Sequence, residues 1–145
     1  MKNIVTDAKK LRKACKPCSS TDVGIEIGQK LLQSLEDSPT GVGLAANQIG
    51  INMRVCVINV SKPIILVNPR ITSHFGRIVF EEGCLSFPGD SIVTERYANI
   101  SVEADNHSST LFFRSEDNAL ECVCVQHEID HLDGITMHMR QIKEI

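Results

Sequence analysis

The sequence has no apolar run approaching the roughly 18 residues that span a bilayer, which excludes a membrane-crossing helix. Its Lys/Arg-rich opening, Met1 to Lys16, lacks the apolar stretch of a secretory leader, so no export signal is expected. Without export, the six cysteines (Cys15, Cys18, Cys56, Cys84, Cys122 and Cys124) are expected as reduced thiols rather than a disulfide framework. No internal repeat, low-complexity segment or linker appears, so residues 1–145 are expected to form one domain, long enough to bury about two-thirds of its unfolded surface. Positive charge is not in excess either. Fifteen Lys and Arg stand against 18 Asp and Glu, for a formal charge of −3. The basic N-terminal residues therefore read as solvated surface, and there is no direct nucleic-acid motif. Hydrophobic content of 42% and charged content of 23% are those of an ordinary soluble globular chain.

What is present alternates between helical and extended patterns. Residues 1–20 read as loop or extended chain. Val23, Ile27, Leu31 and Leu35, with Leu32, predict a helix over 21–38, capped by Thr21 or Asp22 and ended by Ser38-Pro39. Gly24 and Gly28 would weaken it unless packing is close there. Strands are predicted over Met53–Val60 and Ile64–Val67, and Pro69–Phe80 is extended with a bend at Gly76. Pro88-Gly89-Asp90 is a turn. Ile100, Val102 and Ala104 alternate with polar residues within a half-buried strand over 91–105, and Thr110–Arg114 pairs back on it. A last helix, capped by Ser115 or Asp117 and closed by Gly134, is apolar on several sides and so predicted to be buried.

That helix carries Gln126-His127-Glu128-Ile129-Asp130-His131. At 3.6 residues per turn His127 and His131 project from one face and can share a metal ion, with Glu128 beside them to take a proton from a water there. A hydrogen-bonded pair of core histidines is the alternative. Two histidines and a glutamate on a buried helix need compensation, because unpaired burial costs about 1–3 kcal/mol or more for each. Two histidines hold a metal loosely, so a third ligand is needed. The downstream His of one peptidase class is replaced here by Met137, with His138 one residue late, and Glu144 lies too close behind to serve as the downstream Glu of another. Upstream, Cys84 in Glu81-Glu82-Gly83-Cys84-Leu85-Ser86 is the best candidate. Gly83 permits close packing beside it, and Cys with two His leaves a coordination position open for chemistry. His74 and His107 could complete a closed structural site but lack motif spacing. Cys15-Lys16-Pro17-Cys18 has no second ligand pair and reads as an incidental loop. Gly41-Val42-Gly43-Leu44-Ala45-Ala46-Asn47-Gln48-Ile49-Gly50 is either a turn into a strand or a backbone held close to a ligand, with Gln48 offering an amide. It is neither a phosphate loop nor a dinucleotide fingerprint.

Gly41–Gln48, Glu82-Gly83-Cys84-Leu85-Ser86 and Gln126–His131 together resemble the three signature motifs of peptide deformylases, in the family's order, and the resemblance covers roughly residues 10 to 140. Phe87-Pro88-Gly89 looks most like the plastid-type branch. Asn47 stands where many members have Pro, a difference expected to alter only loop stiffness. The short stretch after His131 resembles compact phage-encoded members that lack a C-terminal helix, which would put the protein in a host cytoplasm.

The resemblance implies an α+β fold of mostly antiparallel sheets around a central buried helix. It implies a hydrolase that removes the formyl group from N-formylmethionyl nascent peptides and releases formate. Cys84, His127 and His131 would hold one divalent metal, Fe(II) in the cell, with Zn(II), Ni(II) or Co(II) as alternatives that suit the same donors. Glu128 would shuttle the proton, and Gln48 and the Leu85 backbone N–H would stabilise the oxyanion. Val42, Phe80, Leu120, Val123 and Cys124 match the family's methionine pocket; Gly43 would bond the peptide backbone, Arg96 would contact substrate, and Glu82 would lie beside the site and orient a histidine. A monomer in the cytoplasm, working at or near the ribosome surface, follows from the same resemblance. A zinc peptidase cutting internal bonds and a non-catalytic metal-stabilised module are the competing classes.

Overall fold

The computed structural model describes residues 4–142. Met1 to Asn3 of the basic segment, and Glu144, lie outside them. A one-turn helix α1 (Ala8–Leu11), capped by the Asp7 side chain, interrupts the opening stretch that the sequence suggested was loop. Helix α2 (Thr21–Glu36) follows, then β1 (Gly43–Ala45), a 3-10 turn (Ala46–Ile49), β2 (Val55–Asn59) and β3 (Pro63–Val67). Next come β4 (Arg70–Glu82), β5 (Ile92–Glu103), β6 (Leu111–Arg114), helix α3 (Ser115–Leu132) and a second 3-10 turn (Met137–Arg140). The strands form two three-stranded antiparallel sheets, β1-β2-β3 and β4-β5-β6. This is the mixed helix and antiparallel sheet architecture expected.

The first sheet is covered on both faces, which explains why Val55–Ile58 of β2 is a continuous apolar run rather than an alternation. Val55 and Val57 face α2 with Ile27, Leu31 and Leu35, whereas Cys56 and Ile58 face α3 with Val125, Ile129 and Leu132. Gly24 and Gly28 are small for a reason. A Cβ on either would lie 2.5 Å from Val67 or 2.3 Å from Ile65, so α2 approaches β3 closely there. The α2 cap is Ser20, one residue before those expected, and Val23 is exposed, leaving Gly24, Ile27, Gly28, Leu31, Ser34 and Leu35 as the buried face.

Helix α3 lies between the sheets, and Cys122 through Leu132 are all buried. Its start differs from expectation. Asn118 leaves helical geometry (φ −162°, ψ 98°) and its Oδ1 accepts the Glu121 N–H at 3.0 Å, so Asn118, not Ser115 or Asp117, caps the long segment. Its end is as expected: Gly134 (φ 76°) donates to His131 O and Ile135 to Asp130 O, the paired bonds of a left-handed helix stop.

Cys15 and Cys18 sit in packing roles. Asn68 holds the Cys18 backbone through both its amide atoms (2.8 and 2.9 Å), and the Cys15 N–H donates to Leu132 O at 2.8 Å. Burial pushes the Cys15 thiol up to about 11 and raises Cys18, against any redox use of the pair.

Candidate active site

Register places the second motif against the helix. Across β4–β5, Phe80 pairs with Thr94 and Ile78 with Arg96, so Phe80, Glu82, Thr94 and Arg96 share one face of the hairpin. Glu82 ends β4, and the chain leaves it as Gly83-Cys84 towards α3. A turn closes the loop beyond: the Phe87 N–H donates to Cys84 O and the Asp90 N–H to Phe87 O, with Gly89 at φ 86°. His138 holds this rim from outside, 2.8 Å from Asp90 Oδ2 and edge-on to the Phe87 ring.

Cys84, His127 and His131 come together. One donor atom from each lies within 4.8 Å of the others, and among the described residues this is the metal-capable group of three. His131 Nε2 is 3.1 Å from His127 Nε2 and 3.3 Å from Cys84 Sγ. Ligand atoms about 2.0–2.1 Å (nitrogen) and 2.3 Å (sulfur) from a shared tetrahedral ion would be about 3.3–3.6 Å apart, so the donor set fits such a cation. Charge agrees. Burial disfavours a positive His127, yet Glu128, Cys84 and Glu82 together raise it to about 10, so its surroundings favour positive charge, which a bound cation would supply. His131 is held well below its usual value by burial and by the His127 and Arg96 charges, which keeps it neutral as a ligand must be. His74 stacks on Tyr97 and His107 bonds Ile65 O, so neither joins the group.

The His127 ring is fixed from behind: its Nδ1–H donates to Glu82 Oε1 at 2.8 Å, leaving the Nε2 lone pair for the centre. Glu82 also accepts from Arg96 Nε (2.6 Å) and Nη2 (2.8 Å) and from the Thr94 hydroxyl. Burial alone would lift the Glu82 carboxyl, but Arg96 and His127 hold it down at about 2. Arg96 itself is 4% exposed and spends its remaining arm on Asp130 (2.5 Å). The expected substrate contact is therefore corrected: Arg96 does not line the cleft, and its guanidinium is committed to two carboxylates.

A cleft of about 510 Å³ opens in front of the three donors. Gln48, Cys84, Leu85, His127 and Glu128 line its polar end, and Val42, Phe80, Leu120, Val123 and Cys124 its apolar walls. Leu120 is 40% exposed at the mouth, an apolar side chain awaiting a partner. Gln48 is buried and oriented at both ends: its Oε1 accepts the Ala45 N–H (2.9 Å) and its Nε2 donates to Ser86 Oγ (3.1 Å) and towards Cys84 Sγ (3.6 Å). Glu128 is buried with Oε1 unpartnered in the described structure. Burial, reinforced by Glu82 and opposed by His127 and Arg96, raises its carboxyl to about 7.

Gly83 lacks the close packing expected of it, and Gly43 has a packing constraint as well as the backbone role expected of it. At Gly83 the nearest atom to an added Cβ would be 4.0 Å away, whereas at Gly43 it would meet Cys124 Sγ at 2.6 Å and Glu128 Oε2 at 2.7 Å. Gly43 is therefore the position where β1 must press on the helix. Asn47 does more than set loop stiffness, since its Nδ2 donates to the His131 carbonyl at 2.7 Å. Sequence reasoning missed Thr94, Asp130, Ser86 and Arg140. Only Ser86 and Asp130, inside quoted motifs, offered any signal.

Comparison with known proteins bears on the family and the fold. The sequence model of the polypeptide deformylase family matches residues 1–144. The peptide deformylase of Hydrogenovibrio crunogenus is 41% identical over 130 residues, covering 86% of this chain and 75% of that protein. The crystal structure of peptide deformylase from Thermotoga maritima superposes with a TM-score of 0.86 at 29% identity, covering 99% of each chain. A probable peptide deformylase from the Synechococcus phage S-SSM7 gives 0.84 at 30% identity, covering 97% of this chain and 99% of that one.

Proposed function

The chain belongs to the polypeptide deformylase family, and from that premise we propose a role for each residue of the cleft. As a member, it is a metal-dependent hydrolase that removes the N-formyl group from nascent peptides. The proposed ligands are Cys84, His127 and His131. The observation that carries this is the convergence of their three donor atoms beside a buried Glu128 with an unpartnered oxygen. These three residues would hold a divalent cation, which would supply Lewis acidity for the formyl carbonyl and for a water.

The remaining work falls to side chains. Glu128 takes the water's proton and returns it to the amine nitrogen that leaves, a task suited to a carboxyl lifted to about 7. Gln48 Nε2 and the Leu85 backbone N–H donate to the oxyanion that develops on the formyl oxygen. Gln48 is pre-oriented by Ala45 and Ser86, so little reorganisation is needed. Val42, Phe80, Leu120, Val123 and Cys124 enclose the methionine side chain, and the Gly43 backbone, on edge strand β1, pairs with the peptide. Glu82 and Arg96 act behind the site, orienting His127.

We assign Fe(II) as the cellular metal, with Zn(II), Ni(II) or Co(II) able to replace it. Residues 1–145 act as one catalytic domain, plastid-type-like at Phe87-Pro88-Gly89. It works as a cytoplasmic monomer at or near the ribosome surface. No helix among the described residues is long and apolar enough to cross a membrane.

The test is formate release. Anaerobically prepared protein is given formyl-Met-Ala-Ser and acetyl-Met-Ala-Ser side by side. Formate from the first, with internal bonds intact, is expected, and Cys84→Ser should lose both metal and turnover. Internal cleavage, or a serine variant with full metal content, contradicts the assignment.

A further inference from the structure

A metal ligand is only as well oriented as the groups behind it. Behind His127 stand four charged side chains in series. His127 donates to Glu82, Arg96 grips Glu82 through Nε and Nη2, and Arg96 Nη1 reaches Asp130 Oδ2 at 2.5 Å. Asp130 in turn accepts from Arg140, Nε to Oδ2 and Nη2 to Oδ1, both at 3.0 Å. Exposure of these side chains rises outward: 3% for Glu82 and Arg96, 13% for Asp130 and 43% for Arg140. The charges alternate in sign and cancel in pairs.

Arg140 ends the 3-10 turn Met137–Arg140, and the residues after it are tied to the same region. Gln141 bridges to Thr94 and the Ile142 N–H donates to Val93 O at 3.0 Å. Thr94 donates its hydroxyl to Glu82. The segment following α3 thus reaches Glu82 by two routes, through Asp130 and Arg96 and through β5.

The geometry gives Arg140 a particular job. Asp130 has one oxygen shared by both arginines and one held by Arg140 alone. A planar guanidinium making two parallel bonds sets the plane of a carboxylate, which a point charge does not. Without that fork the Asp130 carboxylate is able to turn, and the third arm of Arg96 loses its anchor. We infer that Arg140 is a positioning residue for the metal centre: by clamping Asp130 it holds Arg96 on Glu82 and so fixes the His127 ring. This rests on the reading of His127 as a ligand.

The test uses the full chain loaded with Co(II), comparing wild type, Arg140→Ala, Arg140→Lys, Met139→Ala and His127→Ala. Three quantities are read: Co(II) affinity by chelator competition, the visible Co(II) bands, and thermal stability. Arg140→Ala should bind Co(II) about fivefold more weakly, less than the 10–100-fold that losing a direct partner of a ligand costs, with shifted bands. Arg140→Lys, which keeps the charge but not the fork, should fall between it and wild type. Met139→Ala, an exposed neighbour on the same turn, should match wild type in affinity and bands. Wild-type affinity and bands in Arg140→Ala overturn the inference. If that variant does not fold, the lysine variant decides: an intermediate loss supports the inference, and wild-type behaviour overturns it. His127→Ala separates the two claims. If it keeps Co(II) affinity, the ligand reading fails and the inference with it. If it loses Co(II) while both Arg140 variants do not, the inference alone fails.

Discussion

Replacing Glu82 by Gln changes one oxygen to an amide, and the structure sets what that does. Both carboxylate oxygens of Glu82 only accept: Oε1 from His127 Nδ1 and Arg96 Nη2, Oε2 from Arg96 Nε and Thr94. Either orientation of the glutamine turns N–H groups towards N–H groups, and it leaves the buried Arg96 with Asp130 as its remaining anion. Removing one partner of a buried pair costs about 3–5 kcal/mol. The depressed Glu82 carboxyl, which reflects the same Arg96 and His127 contacts, gives a second figure. A carboxyl moved from 4.5 to about 2 on folding stabilises the native state by about 3 kcal/mol at neutral pH, at about 1.4 kcal/mol per tenfold. The sign follows from the depressed value: this stabilisation is whole above pH 4.5 and is lost as pH falls through about 2. The two routes agree, so Glu82→Gln should lower stability by about 3 kcal/mol at pH 7, or Tm by roughly 10 °C for a chain of this size. Urea unfolding of metal-stripped protein at pH 7, 4.5 and 3 is the assay, since acid release of metal then plays no part. The gap between wild type and variant should hold from pH 7 to 4.5 and narrow at pH 3. A variant as stable as wild type at pH 7, or a gap that ignores acid, refutes the account of Glu82.

Gly43→Ala should destabilise by about 1–3 kcal/mol, because its Cβ would meet Cys124 and Glu128 within 2.7 Å. It should cut formate release far more than metal content, since it displaces the proton carrier and not a ligand, and parallel loss of both would count against this. Gly134→Ala sets a side chain at φ 76° and 2.4 Å from the Arg12 carbonyl, so thermal unfolding should fall by more than the 1–2 kcal/mol that left-handed geometry costs alone. A loss of only about 1–2 kcal/mol would mean that the chain after α1 does not press on Gly134, and a neutral substitution would contradict the left-handed geometry as well.

Some of this was legible in the chain because it is local. The His-Glu-x-x-His spacing and the alternation of Ile100, Val102 and Ala104 each state a period, and a period maps onto a face, whereas the continuous apolar run of β2 marks a strand covered on both sides. The Asn118 kink was harder to see, because Ser115 and Asp117 satisfy the usual cap preference three residues and one residue too early. Arg96 was misread for a different reason. Its partners Glu82 and Asp130 lie 14 and 34 residues away, and only the β4–β5 register with α3 packed on it brings them within reach. The same holds for Arg140 and Thr94, whose roles exist only as third and fourth members of a network. The close approach expected at Gly83 falls instead at Gly43, because which glycine is pressed depends on which strand lies against α3.

The central claim is that Glu128 moves the proton at a centre held by Cys84, His127 and His131. Glu128→Gln tests it most directly, because the amide keeps the shape while removing the proton carrier. Formate release from formyl-Met-Ala-Ser is measured alongside metal content on the same sample. The account predicts a full complement of metal with turnover lost by about 10²–10⁴-fold, the span that general acid–base catalysis contributes. A metal-replete glutamine variant that releases formate at the wild-type rate would contradict it.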